Sequence, residues 1–157
     1  MSDPRQAARH RLAQFMEDKG KRNTRQRDLI VDIFLEAGGH LTLNELLRLV
    51  QERDDRVGFA TVYRTMKLLA EAGVAEELRF GEGQTRYELA HADEHHDHLI
   101  CQTCGKIFEF EDDEVEAIQD RIALRFGLKV TEHRHEIYGV CTKTDCEHLR
   151  AATELPQ

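Results

Sequence analysis

The sequence predicts an α+β protein in two parts: a helical N-terminal part that ends in a β-hairpin, and a smaller C-terminal part of strands and helices. Two observations carry this prediction. Helical spacing of apolar residues, with helix-capping signals, fills residues 5–72, and two short strand-like runs follow. Further on, a histidine run leads into Cys101 and Cys104, and a second cysteine pair lies near the C-terminal end.

Two helices are predicted at the start of the chain. Residues 5–19 place apolar side chains on one side of a helix. The second helix begins after Thr24, a favourable N-cap residue. It ends at Gly38 and Gly39, because glycine readily adopts the conformation that terminates helices. Both helices are therefore expected to pack one face into a core.

Two more helices are predicted before the hairpin. Thr42 and Glu45 match a capping box, in which each side chain bonds a backbone N–H at the start of the helix, so they open the third helix. Gly58 precedes the fourth helix, over residues 59–72, and Gly73 ends it.

The predicted hairpin completes the N-terminal domain. Strands at 74–80 and 85–89 flank a glycine turn at 81–84. Helices followed by such a hairpin are typical of a winged helix-turn-helix domain. The predicted boundaries are a domain at 1–89, a hinge at 90–94 and a second domain at 95–157.

A small α/β domain is predicted after the hinge. Its elements, in order, are a strand at 97–102, a strand at 106–110, a helix at 112–126, a strand at 128–139 and a short helix at 145–150.

Composition indicates a protein of the reducing cytoplasm. No run of about 18 apolar residues is present, so no membrane span is expected. The segment from Met1 to Gly20 is polar and lacks the apolar core of a secretory signal. In the cytoplasm, paired cysteines at short spacing indicate metal ligands rather than disulfides.

The charge is distributed unevenly along the chain. Residues 1–90 hold 15 Lys and Arg against 15 Asp and Glu, whereas residues 91–157 hold 7 against 15, which accounts for the net charge of −8. Within residues 1–27, 8 basic residues face 3 acidic ones. Such a basic arm suits an anionic partner such as a phosphate backbone, and the alternative is a solvated charged helix.

The fourth predicted helix combines an apolar face with a polar arc. Its apolar residues, spaced i, i+4, i+7, are Val62, Met66 and Leu69. The outer arc carries Tyr63, Arg64 and Lys67. Arginine bonds guanine edges bidentately and aromatic side chains contact thymine methyl groups, so this arc is predicted to read DNA bases. The alternative is an ordinary amphipathic helix with a charged surface.

Four cysteines predict a structural metal site. They form two pairs at short spacing, Cys101 with Cys104 and Cys141 with Cys146. Four thiolates are a typical tetrahedral ligand set for structural Zn(II). Such a site would join two distant segments of a small domain and contribute to its folding.

The histidine run predicts two further sites. Alternate residues of a strand face opposite sides, so His96 and His98 point one way, and His95 and Asp97 point the other. Mixed imidazole and carboxylate sites suit Fe(II), Mn(II) or Zn(II). Candidate partners of the first pair are His40, Glu88 and Glu109, and those of the second pair are Glu116 and His133. His135 lies two residues from His133 on the same predicted strand and competes for that role.

Three other kinds of protein fit these motifs less well. A zinc deaminase needs an H-x-E segment and a proline before the cysteine pair, but Ile100 precedes Cys101. A zinc-dependent hydrolase is the other enzyme alternative, but the sequence contains no H-E-x-x-H motif. A zinc-ribbon module without DNA binding leaves the basic arm and the Tyr63 and Arg64 pair unexplained.

The chain resembles the ferric uptake regulator family of bacterial metal-dependent repressors over about residues 10–150. The motifs that carry the resemblance are Ala60-Thr61-Val62-Tyr63-Arg64, His95-His96-Asp97-His98-Leu99-Ile100-Cys101-x-x-Cys104-Gly105-Lys106, and the Cys141 and Cys146 pair. The resemblance implies a winged-helix DNA-binding domain, a hinge and an α/β dimerisation domain. It also implies a homodimer, with tetramers as a further possibility, that binds a palindromic A/T-rich operator in double-stranded DNA when metal is bound. The usual targets are iron-uptake genes.

The resemblance also implies a role for each candidate residue. Structural zinc falls on Cys101, Cys104, Cys141 and Cys146. The regulatory metal falls on His40, Glu88, His96, His98 and Glu109. An additional metal falls on His95, Asp97, Glu116 and His133. The DNA-binding positions are Arg22, Thr61, Tyr63, Arg64 and Lys67.

The regulatory metal expected from the resemblance is Fe(II). Peroxide-sensing relatives typically have aspartates where this chain has Glu88 and Glu109. Zinc-responsive relatives usually add a cysteine to the regulatory site, but all four cysteines here belong to the tetrad. Manganese-, zinc- and peroxide-responsive regulators are the alternatives within the family, and Mn(II) or Zn(II) are the expected substitutes for Fe(II).

Overall fold

A computed structural model describes residues 3–80, 83–90 and 96–142. The chain divides into two compact units, Met1–Asp93 and Glu94–Gln157. Within the described ranges, no helix is long and apolar enough to cross a membrane.

The first unit has four helices and a three-stranded sheet. In chain order its elements are α1 (Pro4–Asp18), α2 (Arg25–Ala37), β1 (Leu41–Thr42), α3 (Leu43–Gln51), α4 (Phe59–Glu71), β2 (Ala75–Leu78) and β3 (Arg86–Leu89). The strands are antiparallel in the order β1-β3-β2. This is the predicted winged helix-turn-helix arrangement, with β2 and β3 as the wing.

The predicted capping signals are present at the helix ends. The Thr24 side chain accepts a hydrogen bond from the Arg27 N–H. Thr42 and Glu45 form the reciprocal capping box of α3. Gly73 follows α4 with a φ of +64°. Local sequence therefore decides where these helices begin and end.

The core of the first unit lies between its helices and the sheet. The predicted apolar face of α4, Val62, Met66 and Leu69, is fully buried. Residues of α1, α2 and α3 complete this core, among them Leu12, Ile30, Phe34, Leu46 and Val50.

One strand of the first unit was not predicted. Leu41 and Thr42 form β1 and pair with Tyr87 and Arg86. Two residues are too few to produce a period-2 pattern in a sequence, so only the sheet reveals this strand. The predicted turn at 81–84 lies partly outside the described residues.

The second unit contains three strands and one helix within its described residues. They are β4 (Asp97–Cys101), β5 (Ile107–Phe110), α5 (Asp113–Arg125) and β6 (Glu136–Gly139). The strand order is β5-β4-β6, with β4 antiparallel to β5 and parallel to β6. The predicted helix at 145–150 lies outside the described residues.

The predicted strand over 128–139 is wrong in its first part, since only Glu136–Gly139 is a strand. The preceding segment is rich in charged and imidazole side chains. His133 and His135 of this segment both approach Asp97, and these contacts do not need regular strand geometry.

The second unit has little apolar core of its own. Ile100 is the one buried apolar side chain among its described residues, and α5 buries none. The other buried side chains are Asp97 and His98. By contrast, Ile118, Ile122, Leu124, Phe126, Leu128 and Val140 are exposed.

Candidate functional site

Helix α4 exposes the side chains that were predicted to read DNA. Its N-cap is Gly58, and the apolar face turns Tyr63 and Arg64 to the surface. Thr61 and Arg64 line a cleft with Thr24 and Arg27 at the start of α2. Two arginines and several hydroxyl groups thus converge at one edge of the helix-turn-helix, which is suited to bases and phosphates.

The predicted DNA contact Lys67 forms an ion pair within the protein. Its Nζ lies 2.8 Å from Oε1 of Glu77 on β2, and this hydrogen bond raises the pKa of Lys67. The Tyr87 hydroxyl on β3 lies 3.3 Å from the same oxygen. Burial, followed by the Glu77 charge, raises the pKa of Tyr87 to about 12. The α4 helix and the wing are therefore joined through Glu77.

The predicted DNA contact Arg22 lies between α1 and α2. Its side chain is exposed, and its backbone carbonyl accepts a hydrogen bond from Arg27 Nη1 at 2.7 Å. This bond anchors the backbone of Arg22 next to the helix-turn-helix.

Two predicted regulatory ligands meet in the first unit. His40 Nε2 lies 2.7 Å from Glu88 Oε2, and both side chains are largely buried. The pairing of β1 with β3 brings them together, and Arg86 Nη1 donates to the His40 carbonyl at 2.9 Å. The Phe80 ring packs edge-on against the imidazole, with ring centroids 6.1 Å apart.

Two more predicted regulatory ligands meet in the second unit. His98 on β4 is buried and lies directly opposite Glu109 on β5. Directly opposite residues of antiparallel strands have Cβ atoms about 5 Å apart. His96 lies just before β4, and its Nδ1 is 3.3 Å from Glu111 Oε1. Glu111 was not among the predicted ligands, because its proximity to His96 follows from the β4–β5 pairing.

A further cluster surrounds Asp97. His133 Nε2 lies 3.4 Å from Asp97 Oδ1 and 3.2 Å from Glu116 Oε1. One ligand atom from each of these three residues lies within 4.8 Å of the others. His135 Nδ1 lies 3.7 Å from the second carboxylate oxygen of Asp97, although its role was left open by the sequence. The remaining predicted member, His95, lies outside the described residues.

The Asp97 cluster fits a metal ion. Asp97 is only 3% exposed, and its Oδ2 has no hydrogen-bond partner within the described residues. Burying a polar atom without such a bond is costly, so a buried carboxylate oxygen that faces imidazoles and accepts no hydrogen bond is suited to binding a cation. Imidazole nitrogen and carboxylate oxygen suit first-row divalent metals.

Three of the predicted zinc ligands lie at one end of the second sheet. Cys101 ends β4, and Cys104 follows in a turn in which Gly105 has a φ of +74°. Cys141 N donates to Thr103 Oγ1 at 3.1 Å, which ties its segment to this turn. The fourth predicted ligand, Cys146, lies outside the described residues.

The turn also favours the thiolate that binds metal. Backbone hydrogen bonding from Cys104, the largest cause, with further bonds from Thr103, lowers the pKa of the Cys101 thiol to about 7. A lowered thiol pKa increases the thiolate fraction at neutral pH, and thiolate is the zinc-binding form.

A winged-helix unit with an exposed Tyr and Arg surface, followed by a unit rich in imidazole, carboxylate and thiol groups, defines a metal-responsive transcriptional regulator. The chain belongs to the ferric uptake regulator family, whose family model matches residues 18–138. Proteins of this family are DNA-binding, dimeric transcriptional regulators and not enzymes. The predicted family and fold class are therefore confirmed.

Individual relatives span nearly the whole chain. It is 38% identical over 147 residues to the ferric uptake regulation protein of Campylobacter jejuni, and the aligned region covers 92% of each chain. The structure of the Helicobacter pylori ferric uptake regulator, described as having three functional metal-binding sites, matches with a TM-score of 0.80 at 30% identity, covering 88% of this chain and 91% of that one. A zinc-bound manganese uptake regulator matches with a TM-score of 0.69 at 39% identity, covering 83% and 98%.

Proposed function

We propose that this protein is an Fe(II)-responsive repressor that binds operator DNA as a homodimer and controls iron-uptake genes. The observation that supports it best is the make-up of the regulatory positions. His40 with Glu88, and His98 with Glu109, form two imidazole and carboxylate pairs without a thiol. Such nitrogen and oxygen ligands suit Fe(II) or Mn(II), whereas soft thiolates favour other metals.

The regulatory site takes ligands from both units in this proposal. His40 and Glu88 come from the first unit, and His96, His98 and Glu109 come from the second. Ligation by both units would favour one arrangement of the DNA-binding domains within a dimer. That arrangement sets the spacing of the two recognition helices, which must match the spacing of the DNA half-sites. A nearly complete switch requires about 5.5 kcal/mol of differential metal affinity.

The structural zinc site in this proposal uses Cys101, Cys104, Cys141 and Cys146. It is supported by the shared position of the three described cysteines at the end of β4 and by the lowered pKa of Cys101. Closed four-thiolate sites are structural and contribute to the folding of small domains. The additional site uses Asp97, Glu116 and His133, with His95 as the fourth predicted ligand.

The second unit supports homodimerisation. It exposes Ile118 and Ile122 on α5 and Ile137 and Tyr138 on β6, while burying one apolar side chain among its described residues. Exposed apolar side chains that cluster on a surface often belong to a protein interface, which supports a second copy as the partner. A dimer with twofold symmetry binds a palindromic operator. The A/T-rich sequence of that operator is what the family resemblance implies.

The test is an anaerobic metal titration of operator binding. Protein that retains its tight zinc receives Fe(II), Mn(II) or Zn(II), and binding to an A/T-rich palindromic operator is followed by fluorescence anisotropy. We expect tight binding with micromolar Fe(II), or with Mn(II) as its substitute, and none without added metal. Binding that needs no added metal would contradict the proposal.

The matched variants are His98→Ala and His10→Ala. The first removes a buried predicted ligand, and the second removes an exposed histidine of α1. We expect His98→Ala to abolish the metal dependence while circular dichroism shows a folded protein, and His10→Ala to behave like the unchanged protein. Metal-dependent operator binding by a folded His98→Ala variant would show that His98 is not a ligand of the regulatory metal.

A manganese-responsive regulator is the second candidate. The 39% identity to a manganese uptake regulator favours it, and the same ligand types suit Mn(II). The titration separates the two candidates, because a manganese-responsive protein would bind the operator with Mn(II) but not with Fe(II) at equal concentration.

A further inference from the structure

We propose that Thr103 is a positioning residue of the structural zinc site, because its hydroxyl holds the Cys101 sulfur and the Cys141 backbone at the same time. This inference rests on the proposed function, in which Cys101, Cys104, Cys141 and Cys146 bind zinc. It adds a side chain that does not touch the metal but connects the two cysteine pairs. Hydrogen-bond partners of this kind orient metal ligands, and losing one typically costs about 10- to 100-fold in metal affinity.

The Thr103 hydroxyl has two partners, one from each cysteine pair. Its oxygen accepts a hydrogen bond from the Cys141 N–H at 3.1 Å, an ordinary length for such a bond. The Thr103 side chain also hydrogen-bonds the Cys101 sulfur. A hydroxyl has one donor and two acceptor positions, so it can accept from the Cys141 N–H while it donates to the Cys101 thiolate. One oxygen atom therefore links two segments that are far apart in the chain.

The backbone places Thr103 where β4 and β6 end. Cys101 is the partner of Gly139 in the parallel pairing of these strands. The Gln102 N–H continues this pairing by donating to the Gly139 carbonyl at 2.7 Å. Past that bond, the acceptor for the Cys141 N–H is a side-chain oxygen, Thr103 Oγ1. The hydroxyl therefore extends the attachment between the two strands as far as the second cysteine pair.

The turn that carries Thr103 is closed by its own backbone. The Cys101 N–H donates to the Lys106 carbonyl at 2.9 Å, and the Gly105 N–H donates to the Cys101 carbonyl at 2.8 Å. These bonds set the path of the chain on both sides of Thr103, and neither of them involves a side chain. A change of side chain at this position therefore removes the hydroxyl contacts and leaves the turn in place.

A hydrogen bond to a metal-bound thiolate has two measurable effects. It keeps the ligand in place, so it slows the loss of the metal. It also lowers the energy of the sulfur lone pairs, so it moves the sulfur-to-metal charge-transfer band to shorter wavelength. The regulatory and additional sites of the proposed function contain no thiol. With Co(II) in place of zinc, this band therefore reports on the structural site alone.

The experiment uses the full-length protein in two forms, one with zinc and one with Co(II) in its place. Thr103→Val and Thr103→Ala both remove the hydroxyl, and valine keeps the shape of threonine. Thr103→Ser keeps the hydroxyl, and Gln102→Ala changes an exposed side chain of the same turn as the control. Elemental analysis measures the zinc content, a chromogenic chelator measures the rate of zinc release, and visible absorption measures the sulfur-to-cobalt band.

We expect Thr103→Val and Thr103→Ala to release zinc to the chelator about 10-fold faster than the unchanged protein, or faster still. In both variants the sulfur-to-cobalt band should move to longer wavelength, because the Cys101 thiolate has lost a hydrogen-bond donor. Thr103→Ser and Gln102→Ala should match the unchanged protein in both measurements.

Three results would overturn the inference. Thr103→Val and Thr103→Ala could match the unchanged protein, or Thr103→Ser could fail to match it, and either result would show that the hydroxyl has no role in the site. Faster zinc release with an unmoved band would show that Thr103 holds the Cys141 backbone without bonding the Cys101 thiolate.

The structural zinc site of the proposed function is tested separately with Cys141→Ser, which should lower the zinc content because it removes a predicted ligand. If Cys141→Ser retains its zinc in full, or if the unchanged protein shows no sulfur-to-cobalt band, that zinc site is itself wrong. If both of these tests support the site and the hydroxyl variants change nothing, only the role of Thr103 is wrong.

Discussion

Two positively charged side chains on α4 have different surroundings. Arg64 is exposed at the cleft shared with α2. Lys67 is bound to Glu77 at 2.8 Å, and Glu77 also faces the Tyr87 hydroxyl. Glu77 already neutralises the charge of Lys67. We therefore expect Lys67 to contribute less to DNA binding through a phosphate contact than Arg64 contributes through a base contact.

Arg64→Ala is expected to weaken operator binding by about 1–3 kcal/mol and to relax discrimination at one base pair, because the predicted bidentate base contact would be lost. Lys67→Met, the control on the same helix, should weaken binding less. Fluorescence anisotropy with the operator and with single-base variants measures both effects. An Arg64→Ala loss that is equal for the operator and for unrelated DNA would show that Arg64 contacts phosphate alone.

The capping box of α3 connects a local sequence signal to the sheet. Glu45 Oε2 accepts hydrogen bonds from the Thr42 N–H at 2.7 Å and from the Thr42 hydroxyl at 2.8 Å. Arg86 of β3 lies 3.3 Å from the same oxygen. A helix start that the sequence predicts is therefore also attached to the wing strand.

Thr42→Ala is expected to lower the free energy of unfolding by about 1 kcal/mol, because the Glu45 N–H loses its acceptor at the helix start. Thr42→Ser retains the hydroxyl and should lose much less. Urea denaturation followed by circular dichroism at a helix wavelength measures the difference. Equal losses in the two variants would mean that the methyl group of Thr42, and not its hydroxyl, stabilises the helix.

At the level of the complete protein, the second unit leaves most of its large apolar side chains exposed within its described residues. On α5, Val115, Glu116, Gln119 and Ala123 are half-buried, while Ile118 and Ile122 are exposed. The half-buried Glu116 contacts His133 in the Asp97 cluster. The exposed Ile118 and Ile122 are available to a second copy of the chain. In the proposed function, metal binding and dimerisation therefore use opposite sides of this helix.

Ile122→Asp is expected to dissociate the homodimer, because burial of a carboxylate at an apolar interface is strongly unfavourable. Phe59→Asp is the matched control: Phe59 is 46% exposed and Ile122 is 47% exposed, but Phe59 lies on α4 of the first unit. Sedimentation velocity on the zinc-retaining proteins should show a monomer for the first and a dimer for the second. A dimeric Ile122→Asp variant would place the interface elsewhere.

Much of this protein follows from its sequence, because many of its signals are local. The caps at Thr24, Thr42 and Gly73, the buried face of α4 and the cysteine turn depend on residues a few positions apart. The chemistry of the histidine run follows from residue type in the same way. These features predicted the winged-helix unit and the classes of ligand, and the motifs at 60–64 and 95–106 carried the resemblance to the family.

Tertiary structure alone decided which of these side chains meet. Strand pairing brings Glu111 to His96, and the irregular path before β6 brings His135 to Asp97. The Lys67 ion pair depends in the same way on the position of Glu77 in the wing. Such contacts join residues far apart in the chain, and they depend on register and packing, which local periodicity does not encode.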